Sequence, residues 1–80
     1  MDKSIHSAQY RLFLKVLRDA RRRAGLTQID LAKHIGETQS FVSKCERGER
    51  RIDMIELRAF CLAFGVSLKE FVASMERKLR

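Results

Sequence analysis

Apolar residues recur at helical spacing in five stretches of the chain. Tyr10, Phe13, Leu14, Leu17 and Ala24 form the first set, followed by Leu31, Ala32 and Ile35, then Val42 and Cys45. Leu57, Phe60, Cys61 and Phe64 make the fourth, and Leu68, Phe71, Val72 and Met75 the fifth. Residues three or four apart on a helix share a face, so each set predicts an amphipathic helix with one buried stripe. No stretch alternates apolar and polar residues with period two between turn residues, which argues against strands.

The punctuation agrees with the stripes. Gly25, Gly36, Gly48 and Gly65 each stand just past one of the first four, where glycine commonly closes a helix. Start signals follow. Ser67 with Glu70 is a capping box, Thr27 with Asp30 and Asp53 with Glu56 are close variants, and Thr38 offers a capping hydroxyl without the carboxylate. Five helices are therefore predicted at about 5–24, 28–35, 39–47, 54–64 and 68–79. The fold class is all-α, a compact five-helix bundle in a single domain spanning residues 1–80.

The second and third helices are short and are joined by Gly36-Glu37-Thr38. So tight a turn suits two helices that cross steeply, with the second presenting its N-terminal end and outer face to a groove. That face carries Gln39, Ser40, Ser43 and Lys44, while Val42 and Cys45 point inward. Gln can bond adenine twice in the major groove, Ser suits several bases, and Lys favours guanine edges or phosphate. The same residue types also occur on ordinary solvated helices, so this face alone leaves both readings open.

Charge narrows the choice of partner. Lys and Arg number 17 against 10 Asp and Glu, a formal charge of +7 on 80 residues. A field of that sign and size suits polyanions, although a merely soluble basic surface has the same composition. Cys45 and Cys61 sit at apolar helix positions and read as reduced core residues. With only His6 and His34 beside them and no C-x-x-C, no metal site is expected, and nothing calls for a cofactor. His34 lacks a nucleophile or carboxylate at catalytic spacing, and His6 lies near a terminus, so an enzyme is not expected. Aromatic residues make up 8% and fall mostly on the core stripes, leaving no exposed stacking platform of the kind that suits single-stranded RNA. The first helix needs its apolar stripe for the core, which argues against a membrane-surface helix. There is neither a membrane-length apolar run nor a signal-peptide pattern, so the chain reads as cytoplasmic.

One stretch adds a resemblance. Leu26-Thr27-Gln28, Leu31-Ala32, Ile35-Gly36 and Gln39-Ser40-Phe41-Val42-Ser43-Lys44-Cys45-Glu46-Arg47-Gly48 together resemble the phage repressor and Cro type of helix-turn-helix, the XRE-like family. Glu49-Arg50-Arg51, Leu57, Phe60-Cys61, Ala63-Phe64-Gly65-Val66 and Phe71 fit its downstream part. The match covers about residues 17–72, within a family-like core of about 12–73. It implies a lambda-repressor-like bundle from bacterium or phage that binds double-stranded DNA as a regulator, most simply a repressor on a two-fold operator.

The resemblance also implies residue roles. Gln39, Ser40 and Lys44 take the base-contacting positions. Gln28 takes the place of a glutamine that binds a phosphate, with Thr38 and Ser43 as backbone or secondary contacts. Arg50 and Arg51 border the DNA backbone in the loop before the fourth helix, a loop that lacks the proline common in the family. Arg21 and Glu46 take the places of an internal ion pair joining the first helix to the third. Phe41 has two readings, a contact with a thymine methyl or packing against a neighbouring helix. Arg22 and Arg23 also have two, complementing the end of the first helix or reaching a phosphate. A homodimer is expected through helices four and five, using Leu62, Met75 and Leu79 with Val66 or Leu68; Tyr10 and Leu12 of the first helix are the next surface. The rival function is an antitoxin or adaptor of the same fold, whose surface meets a protein partner such as a toxin.

Overall fold

The apolar stripes become five helices in the computed structural model, which describes residues 7–79: α1 (Ala8–Arg23), α2 (Gln28–Ile35), α3 (Gln39–Arg47), α4 (Met54–Phe64) and α5 (Leu68–Leu79). No strand occurs among the described residues. The bounds of α2 to α5 are those the stripes and caps predict. The start of α1 is not. Ser7 is extended (φ −62°, ψ 156°) and its hydroxyl accepts the Tyr10 N–H at 3.1 Å, so the helix begins at Ala8 rather than near residue 5. Residues 5 and 6 of the expected span, and with them His6, lie outside the described residues.

Reciprocal caps open three helices. Thr27 Oγ1 accepts from the Asp30 N–H while the Asp30 carboxylate accepts from the Thr27 N–H, both at 3.0 Å. Asp53 with Glu56 and Ser67 with Glu70 repeat the exchange. Asp therefore completes a capping box at Thr27 as well as Glu does at Asp53 and Ser67.

The core joins all five helices. Leu17, Leu31, Val42, Cys45, Phe60 and Cys61 are wholly buried, with Val16, Ala32, Phe64 and Phe71 close to it. α1 packs on α3 and α5, α2 on α3 and α4, and α4 on α5. The Phe13 and Phe71 rings meet edge-on at 6.0 Å and tie α1 to α5. Two stripe residues are exposed: Ala24, the C-cap of α1, and Val72, which is 47% exposed at the edge of the α5 stripe. Val16, outside the predicted stripe, is buried instead. Cys45 and Cys61 are free thiols, and burial pushes both up to about 11. Among the described residues, no helix is long and apolar enough to cross a membrane.

Candidate nucleic-acid interface

The joint between α2 and α3 depends on one backbone conformation. Gly36 is left-handed (φ 71°), and the Glu37 N–H then reaches back to the Ala32 carbonyl at 2.9 Å. This closes α2 and turns the chain within three residues. Thr38 is extended, and its hydroxyl accepts the Phe41 N–H at 3.0 Å, which starts α3. One side of α3 is buried through Val42, Cys45 and Glu46. The other side exposes Gln39, Ser40 and Lys44, with Ser43 half-buried between them.

A polar chain runs from α1 to the first residue of α3. Arg21 grips Glu46 with two nitrogens, Nε at 2.7 Å and Nη2 at 3.1 Å, and both side chains are buried. Arg21 Nη1 donates to the Leu26 carbonyl at 2.8 Å. Gln28 Nε2 donates to the same Glu46 carboxylate at 3.0 Å, and Gln39 Nε2 donates to Gln28 Oε1 at 3.4 Å. Gln28 thus lies beside Gln39, linking the buried ion pair to the exposed face. The sequence contained both glutamines but no sign that they meet.

Arg47 belongs to the same face and escaped the sequence reading. It is exposed, four residues beyond Ser43 and eight beyond Gln39, a spacing that keeps all three on one side of a helix. Its guanidinium donates to Ser43 Oγ and grips Glu49 through Nε at 2.8 Å and Nη2 at 3.1 Å. The Arg47 hydrogen bond holds the Glu49 carboxyl below its ordinary range.

The loop from Gly48 to Asp53 is pinned by side chains from three helices. Arg50 Nη1 donates to Glu56 Oε1 at 2.8 Å and to the Arg51 carbonyl at 2.7 Å, and its guanidinium lies 4.6 Å from the centre of the Phe41 ring. Arg51 lies 5.3 Å from the centre of the Tyr10 ring, and the Tyr10 hydroxyl accepts the Ile52 N–H at 3.3 Å. Burial raises the Tyr10 hydroxyl above its ordinary value, with the Ile52 N–H opposing. Glu56 is held low, first by Arg50 and then by the Asp53 N–H that it caps. The Phe41 ring is half-buried against the core and lines a cavity of about 50 Å³ with Ile35, Glu56 and Phe60. Arg22 and Arg23 are exposed in the last turn of α1.

The residues expected at a dimer surface separate. Leu62 and Leu79 are 61% and 38% exposed, whereas Met75, Val66 and Leu68 pack partly against the core. Leu12 does so as well, and Tyr10 is engaged by Phe13, Ile52 and Arg51, so α1 offers little open apolar surface. Among the described residues, the most exposed large apolar side chains are Ile55 at 75% and Met54 at 70%. Ile55 and Leu62, seven residues apart, share the face of α4 opposite the buried stripe, while Met54 is exposed in the first turn of the helix.

The Helix-turn-helix family model matches residues 17–71. An XRE-family like protein from Pseudomonas syringae is similar in structure, with a TM-score of 0.85 and 42% identity over 95% of this chain and 93% of that one. A point mutant of the restriction-modification controller protein C.Esp1396I superposes with a TM-score of 0.82 at 25% identity, over 91% of this chain and 92% of that one. The clp gene regulator ClgR from Corynebacterium glutamicum gives 0.70 and 26%, over 91% and 82%. No curated protein matches the chain at a significant level. A family match over most of the chain and a relative of this identity along nearly its whole length place it plainly: the chain belongs to the XRE-like helix-turn-helix family.

Proposed function

We propose that this chain, a DNA-binding regulator of the helix-turn-helix type, acts as a repressor that reads a two-fold operator with α3 in the major groove. The observation that carries the reading is the two-sided α3, with Val42, Cys45 and Glu46 locked into the core and Gln39, Ser40 and Lys44 left exposed. Gln39, Ser40 and Lys44 read base edges, since amide, hydroxyl and ammonium groups suit the donor and acceptor pattern of that groove. Gln28, Thr38, Ser43, Arg47, Arg50 and Arg51 contact the backbone and fix the register of α3. A charge of +7 favours the encounter and makes it sensitive to salt.

A two-fold operator needs a dimer, with half-sites about 34 Å apart. The surface for it combines Met54, Ile55 and Leu62 on α4 with Val72 and Leu79 on α5, the exposed large apolar residues of these two helices. Two similar structures are described as a restriction-modification controller and a gene regulator, which supports a regulatory role here.

Selection of duplex DNA from a random pool, followed by binding of the winners over a salt series, tests this reading. A two-fold-symmetric consensus whose binding weakens steeply as salt rises is the expected result. Weak binding with no consensus would overturn it and point to a protein-interaction module of the same fold.

A further inference from the structure

We propose that Phe41 is a positioning residue for the DNA-backbone contact: its ring seats the Arg50 guanidinium, which Glu56 then orients, so that the clamp is set before DNA arrives. The inference rests on the DNA-binding reading above. Phe41 stands at the edge of the exposed face of α3, one turn before Lys44, with its ring half-buried against the core. The Arg50 guanidinium lies 4.6 Å from the ring centre, within the range of a cation–π contact. The bonds to Glu56 and to the Arg51 carbonyl both leave from Nη1. A guanidinium carries five N–H groups in a rigid fork, so pairing at one nitrogen orients it without exhausting its donors.

Glu56 is itself immobilised, because the same oxygen accepts the Asp53 N–H at 3.0 Å while the opposite half of the box holds at 2.7 Å. The loop on the far side of Arg50 is fixed as well, by the Ile52 N–H on the Tyr10 hydroxyl and by Arg51 over the Tyr10 ring. Arg50 is therefore bracketed by a ring from α3 and a carboxylate from α4, and the backbone around it is tied to α1. Such an arrangement removes the side-chain ordering that an exposed arginine otherwise undergoes on binding. It also joins the base-reading helix to the phosphate-contacting loop, so the two engage DNA in one register.

Phe41→Leu keeps an apolar side chain against the core and removes the ring face. It is expected to weaken binding to the selected operator and to random duplex by the same factor, about two- to five-fold. The dependence of log affinity on log salt should become shallower by up to about one, and the selected consensus should stay the same. Phe41→Tyr, which retains the ring, should restore binding. Arg50→Lys leaves the core untouched and gives up the planar contact, so it should match Phe41→Leu. In an Arg50→Ala background, Phe41→Leu should add nothing further. A changed preference at a single base pair would overturn the proposal in favour of a direct base contact by Phe41. A full additional loss in the Arg50→Ala background would overturn it in favour of general packing. If the unaltered protein binds operator and Phe41→Leu binds as well, the positioning role alone fails; if the unaltered protein binds no duplex, the DNA-binding reading fails with it.

Discussion

Glu46 accepts hydrogen bonds from three side-chain nitrogens: Nε and Nη2 of Arg21 and Nε2 of Gln28. It is buried at the inner side of α3, so its charge is compensated by partners rather than by water. Removing one partner leaves the other charge buried and unpaired. Arg21→Ala or Glu46→Ala should therefore destabilise the fold by about 3–5 kcal/mol, read from denaturant midpoints. Replacing both residues together with apolar ones of similar size should cost much less, and a double replacement as damaging as either single one would contradict this account. Base reading and backbone contact also separate at this scale. Gln39→Ala should change the preferred sequence, whereas Arg51→Ala should weaken all sequences about equally. Identical effects of the two on every operator tested would show that Gln39 does not read bases.

Helix ends are the next scale, because short helices depend on them. α2 and α3 have eight and nine residues, lengths at which an isolated helix is marginal. Their junction uses the left-handed Gly36, where an added Cβ would meet nothing within 4 Å. The cost of Gly36→Ala is thus conformational, about 1–2 kcal/mol, and Gly36→Asn should be milder because Asn tolerates this region. Thermal unfolding of the two variants, compared under one condition, checks the order. At the start of α4, Glu56 caps Asp53 and pairs with Arg50, and both contacts hold its carboxyl below the usual glutamate range of about 4.3. A depressed carboxyl contributes stability that is present above its unfolded value and disappears as pH falls through its folded value. Stability should accordingly decline on acidification below about pH 4, and Glu56→Gln should flatten that decline. An unchanged acid profile in the variant would assign the acid sensitivity to other carboxylates.

For the molecule as a whole, the question is how one small domain gains enough contact with DNA. A single module covers a limited stretch of duplex, and a two-fold pairing doubles it. Ile55 and Leu62 form an exposed apolar face on α4, with Met54 exposed in its first turn, and none of the three belongs to the core. Ile55→Glu and Leu62→Glu should leave the monomer folded while shifting sedimentation toward the monomer and weakening operator binding. Equal sedimentation with and without these changes would remove α4 from the interface.

The five helices were legible before any coordinates, because a helix with one buried face must repeat its apolar residues every three or four positions and must cap its ends locally. Gly36, Thr38 and the outer residues of α3 were legible for the same reason, and the family resemblance added to them. The start of α1 was not, since its stripe begins at Tyr10, inside the helix, and does not mark the end, and the cap at Ser7 shows only when its hydroxyl is seen to take the Tyr10 N–H. Neither were the contacts between distant positions. Gln28 beside Gln39, Arg50 over Phe41, and Tyr10 under the backbone of Ile52 bring together residues as much as 42 apart in the chain. Periodicity assigns each residue to a face of its own helix, and it carries no information about which faces meet or which long side chains find each other. Those pairings depend on how the helices cross around Leu17, Val42 and Phe60, and they came into view with the packed molecule.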